Sequence, residues 1–135
     1  MDQKKIQELI ENAKEASKKA YAPYSKFQVG AVVLDDKGNT FDGCNVENMS
    51  YPVGVCAEKT AVSKGVSETG ADFKITAVAV YTDTDHLTTP CGNCRQFISE
   101  FAQPNTQIIC AYKFDYELIS FNELFPYQLK IDGLK

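Results

Sequence analysis

Two short stretches set the tightest condition on this chain: Cys56-Ala57-Glu58-Lys59 and Thr89-Pro90-Cys91-Gly92-Asn93-Cys94. Each reads as the start of a helix. If their thiols serve one purpose, the fold must bring two helix N-termini together across an intervening strand. A Cys-x-x-Cys pair alone leaves three readings open: half of a zinc site, a redox pair, or two cysteines that fall at a helix start by chance. Asn93 weakens the redox reading, because Cys-Gly-Asn-Cys lacks the proline of the Cys-Gly-Pro-Cys pattern. Cys56 adds a third thiol at another helix start, followed two residues later by Glu58, and this favours a metal.

Cysteine usage agrees. Five cysteines is an odd number in a chain whose opening residues, Met1 to Ile6, lack the apolar core of a signal peptide. A cytoplasmic protein with reduced thiols is therefore expected. A formal charge of -4 argues against a dedicated nucleic-acid surface. No apolar run approaches the roughly 20 residues of a membrane span. With 135 residues, 44% of them hydrophobic, one domain spanning 1–135 has enough chain for a core of its own.

Residues 2–20 read as an amphipathic helix, with Ile6, Leu9, Ile10, Ala13, Ala16 and Ala20 on one stripe and Asp2 as N-cap. Pro23 ends it. Residues 27–34 and 40–46 form a β-hairpin around Asp35-Asp36-Lys37-Gly38-Asn39. A loop over 47–55 leads to a helix from about Cys56 to Glu68, stopped by Gly70. Lys74 to Thr82 is a buried central strand. Thr89 caps the next helix with Pro90 in its first turn, and that helix runs to about Ala102. Strands over 107–112 and 116–119 and a short helix from Ser120 complete the chain. The order α-β-β-α-β-α-β-β-α implies an α/β fold: one mixed five-stranded sheet with helices on both faces, a three-layer α/β/α arrangement. Both cysteine stretches then open helices at the crevice where such sheets bind ligands.

The chemistry of this set is coherent. Three thiolates on Zn²⁺ leave a charge of about -1, which raises the pKa of a bound water relative to a neutral ligand set. Two helix N-termini, each equivalent to roughly +0.5 charge, offset part of it. Lys59 and Arg95, each following a motif residue, are the candidate compensating cations; either could equally be a solvated side chain. The helix dipole alone would favour a Glu at position 58, so only its place among the thiols makes it a proton carrier. His86, the sole histidine, lies in a polar loop and reads as a surface residue. Cys44 and Cys110 fall in strand patterns and read as buried small hydrophobes. Asn45 and Glu47 alternate at a strand end and share a face, a pattern that also suits a turn Asn and a solvent Glu. Zinc deaminases of nucleobases include a three-Cys variant with a glutamate that is not a ligand.

Over nearly its whole length the chain resembles the small homotetrameric cytidine deaminases. The resemblance is carried by Tyr21-Ala22-Pro23-Tyr24-Ser25-Lys26-Phe27, Val29-Gly30-Ala31, Gly43-Cys44-Asn45-Val46-Glu47-Asn48, Cys56-Ala57-Glu58, Pro90-Cys91-Gly92-Asn93-Cys94-Arg95-Gln96 and Glu123-Leu124. It implies hydrolysis of cytidine and deoxycytidine to uridine and deoxyuridine, a cytidine deaminase-like fold, one zinc per chain and a homotetramer. By the same resemblance Cys56, Cys91 and Cys94 hold the zinc, which activates water. Glu58 takes its proton, passes it to ring N3 and later protonates the departing ammonia. The Ala57 amide binds the base carbonyl, the Thr89 carbonyl accepts from the exocyclic amine and Phe27 packs on the base. Asn45 and Glu47 bind the ribose 3′-hydroxyl.

Three positions depart from the family pattern. Lys59 stands where the family carries an Arg that hydrogen-bonds the thiolates, and lysine lacks its planar fork. Leu129 stands where a Phe reaches the base in a neighbouring subunit, with Phe125 and Tyr127 as possible substitutes. Met49 replaces a small residue beside the sugar loop. Competing readings are a deaminase of a modified cytosine nucleoside such as blasticidin S, a polynucleotide editor, and a structural Cys₄ zinc module that recruits Cys44 or Cys110. The Asn45-x-Glu47 pair favours an ordinary nucleoside over the first, and the acidic balance disfavours the second.

Overall fold

The computed structural model describes residues 1–135. Helix α1 (Gln3–Ser17) is capped by Asp2, whose side chain accepts from the Lys5 N–H at 2.8 Å. It ends earlier than its apolar stripe suggests. The amides of Lys18, Lys19 and Ala20 bond three residues back instead of four, so the chain tightens out of the helix before Pro23. Strands β1 (Val29–Asp35) and β2 (Thr40–Cys44) form the expected antiparallel hairpin. Its turn is held by Asp35, whose Oδ1 accepts from the amides of Lys37 and Asn39.

Helix α2 (Ala57–Thr69) follows a short 3₁₀ turn at Tyr51–Val53 and stops at Gly70, whose φ of 96° suits glycine. Then come β3 (Ile75–Thr82), α3 (Gly92–Ser99), β4 (Ala102–Ala111), β5 (Tyr116–Ser120) and α4 (Phe121–Leu124). Several boundaries differ from expectation: β2 ends at Cys44 and α3 at Ser99, each earlier than the sequence suggests. Cys91, not Thr89, occupies the N-cap position of α3, which places Pro90 before the helix. Strand β4 begins at Ala102, and Pro104 falls inside it. The β3–β4 register shifts between Ile75 and Ala77, which pair with Ala102 and Gln107; a proline is tolerated at such an irregularity because it owes no ladder bond there.

The sheet order is β2-β1-β3-β4-β5, with β3 and β4 parallel and the other pairs antiparallel. Strand alternation makes it two-faced. Val32, Leu34, Ala77, Ala79, Tyr81, Ile109 and Ala111 pack on Ile6, Leu9, Ile10 and Ala13 of α1. Ala31, Val33, Val80, Ile108 and Cys110 pack on the opposite side against α2, α3 and α4. This is a three-layer α/β/α architecture, and the functional residues gather on its second side.

The distance of α2 from the sheet is set by a glycine. A Cβ at Gly43 would lie 2.5 Å from the Ala61 nitrogen and 2.7 Å from the Ala57 oxygen, both backbone atoms that cannot swing aside. Gly43→Ala is therefore expected to push α2 outward and cost about 1–3 kcal/mol. Thermal unfolding measures this; an unchanged midpoint would mean that α2 is not held at this spacing.

Candidate active site

Helices α2 and α3 begin side by side at the end of β3, because β3 enters the sheet between them and each packs its apolar stripe on the same face. Cys56 and Cys91 are the N-cap residues of the two helices, and Cys94 lies in the first turn of α3. The sulfurs of Cys56, Cys91 and Cys94 lie within 4.8 Å of one another. That spacing is within side-chain rotation of a tetrahedral zinc with bonds of about 2.3 Å. Cys44 is half-buried and Cys110 buried, and neither joins the group. Three thiols without a fourth is the donor count of a catalytic zinc, not of a closed structural one.

The thiols already polarise one another. Cys56 is held below its ordinary pKa, first because Cys94 hydrogen-bonds to its thiolate, with lesser help from Cys91 and the charge of Lys59. Cys94, the donor in that bond, is pushed up by it and by burial. Glu58 faces them from the first turn of α2 and is only 5% exposed. Burial is the main cause that raises its pKa to about 7, and the neighbouring Cys56 charge adds to it. A carboxyl so placed exchanges a proton near neutral pH, as a general acid–base group must.

A cavity of about 250 Å³ opens onto these groups. Phe27, Asn45, Ala57 and Thr89 line it beside Glu58 and the three cysteines, so chain segments distant in sequence converge there as expected. Val80, Thr82 and Thr88 also line it, and sequence reasoning passed over them. The one signal for Thr82 is a hydroxyl closing the apolar run Ala77–Tyr81.

Glu47 lies outside that cavity. It lines an adjoining cleft of about 500 Å³ with Tyr24, Tyr51 and Met49's neighbour Asn48, and the two spaces share Asn45 and Cys56. Within the chain Asn45 and Glu47 hold the loop that carries Phe27. Asn45 Oδ1 accepts from the Val29 N–H at 2.9 Å, and its Nδ2 donates to the Phe27 carbonyl at 2.8 Å. Glu47 Oε1 accepts from the amides of Tyr24 and Ser25, each at 3.1 Å, and Oε2 from the Ser25 hydroxyl. The Ser25 hydroxyl is the first cause holding the Glu47 pKa below its usual value. Ser25 belongs to a stretch that carries the family resemblance, but a lone serine in a loop has no periodicity to reveal this role.

The two candidate cations are placed differently from each other. The Lys59 ammonium sits over the Phe97 ring, 5.1 Å from its centroid, and acts on Cys56 through space. Arg95 departs from the expectation of a thiolate partner. Its Nε donates to the Pro90 carbonyl at 2.7 Å, Nη1 to the Leu124 carbonyl at 2.6 Å and Nη2 to the Thr89 hydroxyl at 2.9 Å. Following Cys94 in a helix turns its side chain away from the sulfurs and toward α4. Near the C-terminus, Phe125 packs edge-on against Phe121 of its own chain, ring centroids 6.0 Å apart, while Tyr127 and Leu129 are exposed. Met49 and His86 are exposed as well.

Comparison with known proteins agrees with this arrangement. Residues 3–110 match the family described as the cytidine and deoxycytidylate deaminase zinc-binding region. A cytidine deaminase of Sporosarcina psychrophila is 42% identical over 122 residues, covering 90% of this chain and 88% of that protein. The crystal structure of cytidine deaminase from Burkholderia pseudomallei superposes with a TM-score of 0.84 at 38% identity, covering 96% of this chain and 100% of that one. Cytidine deaminase from Mycobacterium tuberculosis gives 0.79 at 34% identity, covering 93% and 97%. With its clustered thiols, buried glutamate and three-layer fold, the chain belongs to the zinc-binding cytidine and deoxycytidylate deaminase family.

Proposed function

We propose that this chain catalyses the hydrolytic deamination of cytidine and 2′-deoxycytidine. Water is consumed, ammonia leaves, and uridine or 2′-deoxyuridine remains. The observation that carries the reading is Glu58: a buried carboxyl, protonating near neutral pH, beside three clustered cysteines at the wall of a base-sized cavity.

Cys56, Cys91 and Cys94 would hold a zinc ion, which when bound supplies a water ionised near neutral pH. Glu58 takes up a proton at its carboxylate, carries it to ring N3 of the base, and delivers a proton to the amine as it leaves as ammonia. The Ala57 amide, unpaired in the first turn of α2, is free to donate to the base carbonyl. The Thr89 carbonyl accepts from the exocyclic amine. Phe27 packs on the base, and Asn45 and Glu47 take the ribose at the seam between cavity and cleft. Lys59 tempers the thiolate charge through space. All of this is assigned to one catalytic domain over 1–135, working in the cytoplasm as a homotetramer.

The test is an absorbance assay of zinc-loaded protein against cytidine, 2′-deoxycytidine, cytosine and blasticidin S. Turnover of the first two with little on the others is expected. Turnover of blasticidin S alone would overturn the substrate assignment. In the double variant with Cys44 and Cys110 replaced by Ala, zinc content should stay near one per chain; loss of zinc there would point to a Cys₄ module.

A further inference from the structure

Arg95 is half-buried and ties three separate pieces of chain together. The Leu124 carbonyl closes α4, where a helix end leaves its last carbonyls without partners. The Pro90 carbonyl and the Thr89 hydroxyl belong to the short segment joining β3 to α3, and Thr88, Thr89 and Cys91 of that segment line the cavity. Arg95 itself lines neither the cavity nor the adjoining cleft. Its three nitrogens point in three directions set by a planar fork, a geometry that a single ammonium cannot reproduce. The hydroxyl of Thr89 has Arg95 as its hydrogen-bond partner, and the segment carries no strand pairing.

We infer that Arg95 is a positioning residue that sets the Thr88–Pro90 wall of the substrate cavity by clamping it to the end of α4. The inference rests on the proposed deaminase activity for its kinetic readout and on geometry for the rest. The wall contacts bound substrate and reacting complex alike. Its displacement therefore weakens both, which raises KM and largely spares kcat. A general folding defect does the reverse: it lowers the active fraction and apparent kcat while the remaining sites keep their KM.

The experiment compares Arg95→Gln and Arg95→Lys with the unaltered chain, measuring kcat and KM for cytidine, zinc content, and amide hydrogen exchange at Thr88, Thr89, Leu124 and Phe125. Both variants are expected to raise KM about tenfold with kcat within about threefold, zinc content unchanged and exchange faster in both segments together. Full rescue by Arg95→Lys would overturn the clamp, because it would show that charge alone is needed. An unchanged KM in either folded variant, or zinc loss in proportion to lost activity, would overturn it equally. Should Arg95→Gln fail to fold, Arg95→Lys and Thr89→Val decide the matter, the latter with a smaller KM rise expected and an unchanged KM counting against the clamp. If the unaltered chain does not turn over cytidine, the activity assignment fails while the exchange measurement still tests the clamp.

Discussion

Glu58→Gln is expected to keep a full complement of zinc and to lose turnover by about 10⁴-fold, the upper range of general acid–base catalysis. The substitution preserves shape and hydrogen-bonding size, so the cavity and the thiol cluster should be undisturbed. What it removes is a group able to hold and release a proton. The position is the one that makes this loss large: Glu58 is nearly fully buried, with no other carboxylate or histidine lining the same cavity to take over. Burial raises its pKa to about 7, so it holds a proton more readily than an exposed glutamate. Zinc content is measured by metal analysis and turnover by the absorbance change on deamination. Substantial activity in the zinc-loaded variant would rule out the proton-carrying role.

The second large effect concerns the sugar. 3′-Deoxycytidine is expected to show kcat/KM at least about 100-fold below that of 2′-deoxycytidine. A polar site that loses its bonded hydroxyl is left with unpaired groups, and such sites discriminate far more strongly than apolar ones. Asn45 and Glu47 are the residues proposed to hold that hydroxyl. Asn45 and Glu47 already hold the backbone from Tyr24 to Val29, so their orientations are locked before any ligand arrives. Asn45 keeps one amide hydrogen beyond those bonds, and carboxylate oxygens of Glu47 have lone pairs to spare. A pre-oriented pair gains more from one hydroxyl than a mobile pair, because no side-chain freedom is lost on binding. Equal kcat/KM for the two deoxynucleosides would remove Asn45 and Glu47 from the substrate site and leave them as supports for the Phe27 loop.

These two residues also show where sequence reasoning reaches and where it stops. Their shared face followed from strand alternation. Their bonds to Tyr24, Ser25, Phe27 and Val29 did not, since those partners sit in a loop without a repeating pattern. The same division runs through the helices. Asp2 as a cap and Gly70 as a stop were legible, because capping is local chemistry. The start of α3 was misplaced, because Thr-Pro is a good local signal for a helix start and the tertiary demand of Arg95 on Thr89 and Pro90 overrode it. Strand β4 is longer than local signals suggest for a related reason: Pro104 argues locally against a strand, and only the register shift opposite β3 makes room for it.

Residue identity and order alone determined the element sequence, the mixed sheet and the three cysteines with one glutamate as the chemical set. Those follow from periodicity, capping and ligand chemistry, which act over a few residues. Only the tertiary structure decided where the neighbouring charges go. Lys59 lies over Phe97 and Arg95 donates to Thr89, Pro90 and Leu124, although both follow a site residue directly in the chain. A side chain's partner is set by the direction its helix gives it and by what packs opposite, and neither is encoded by adjacency.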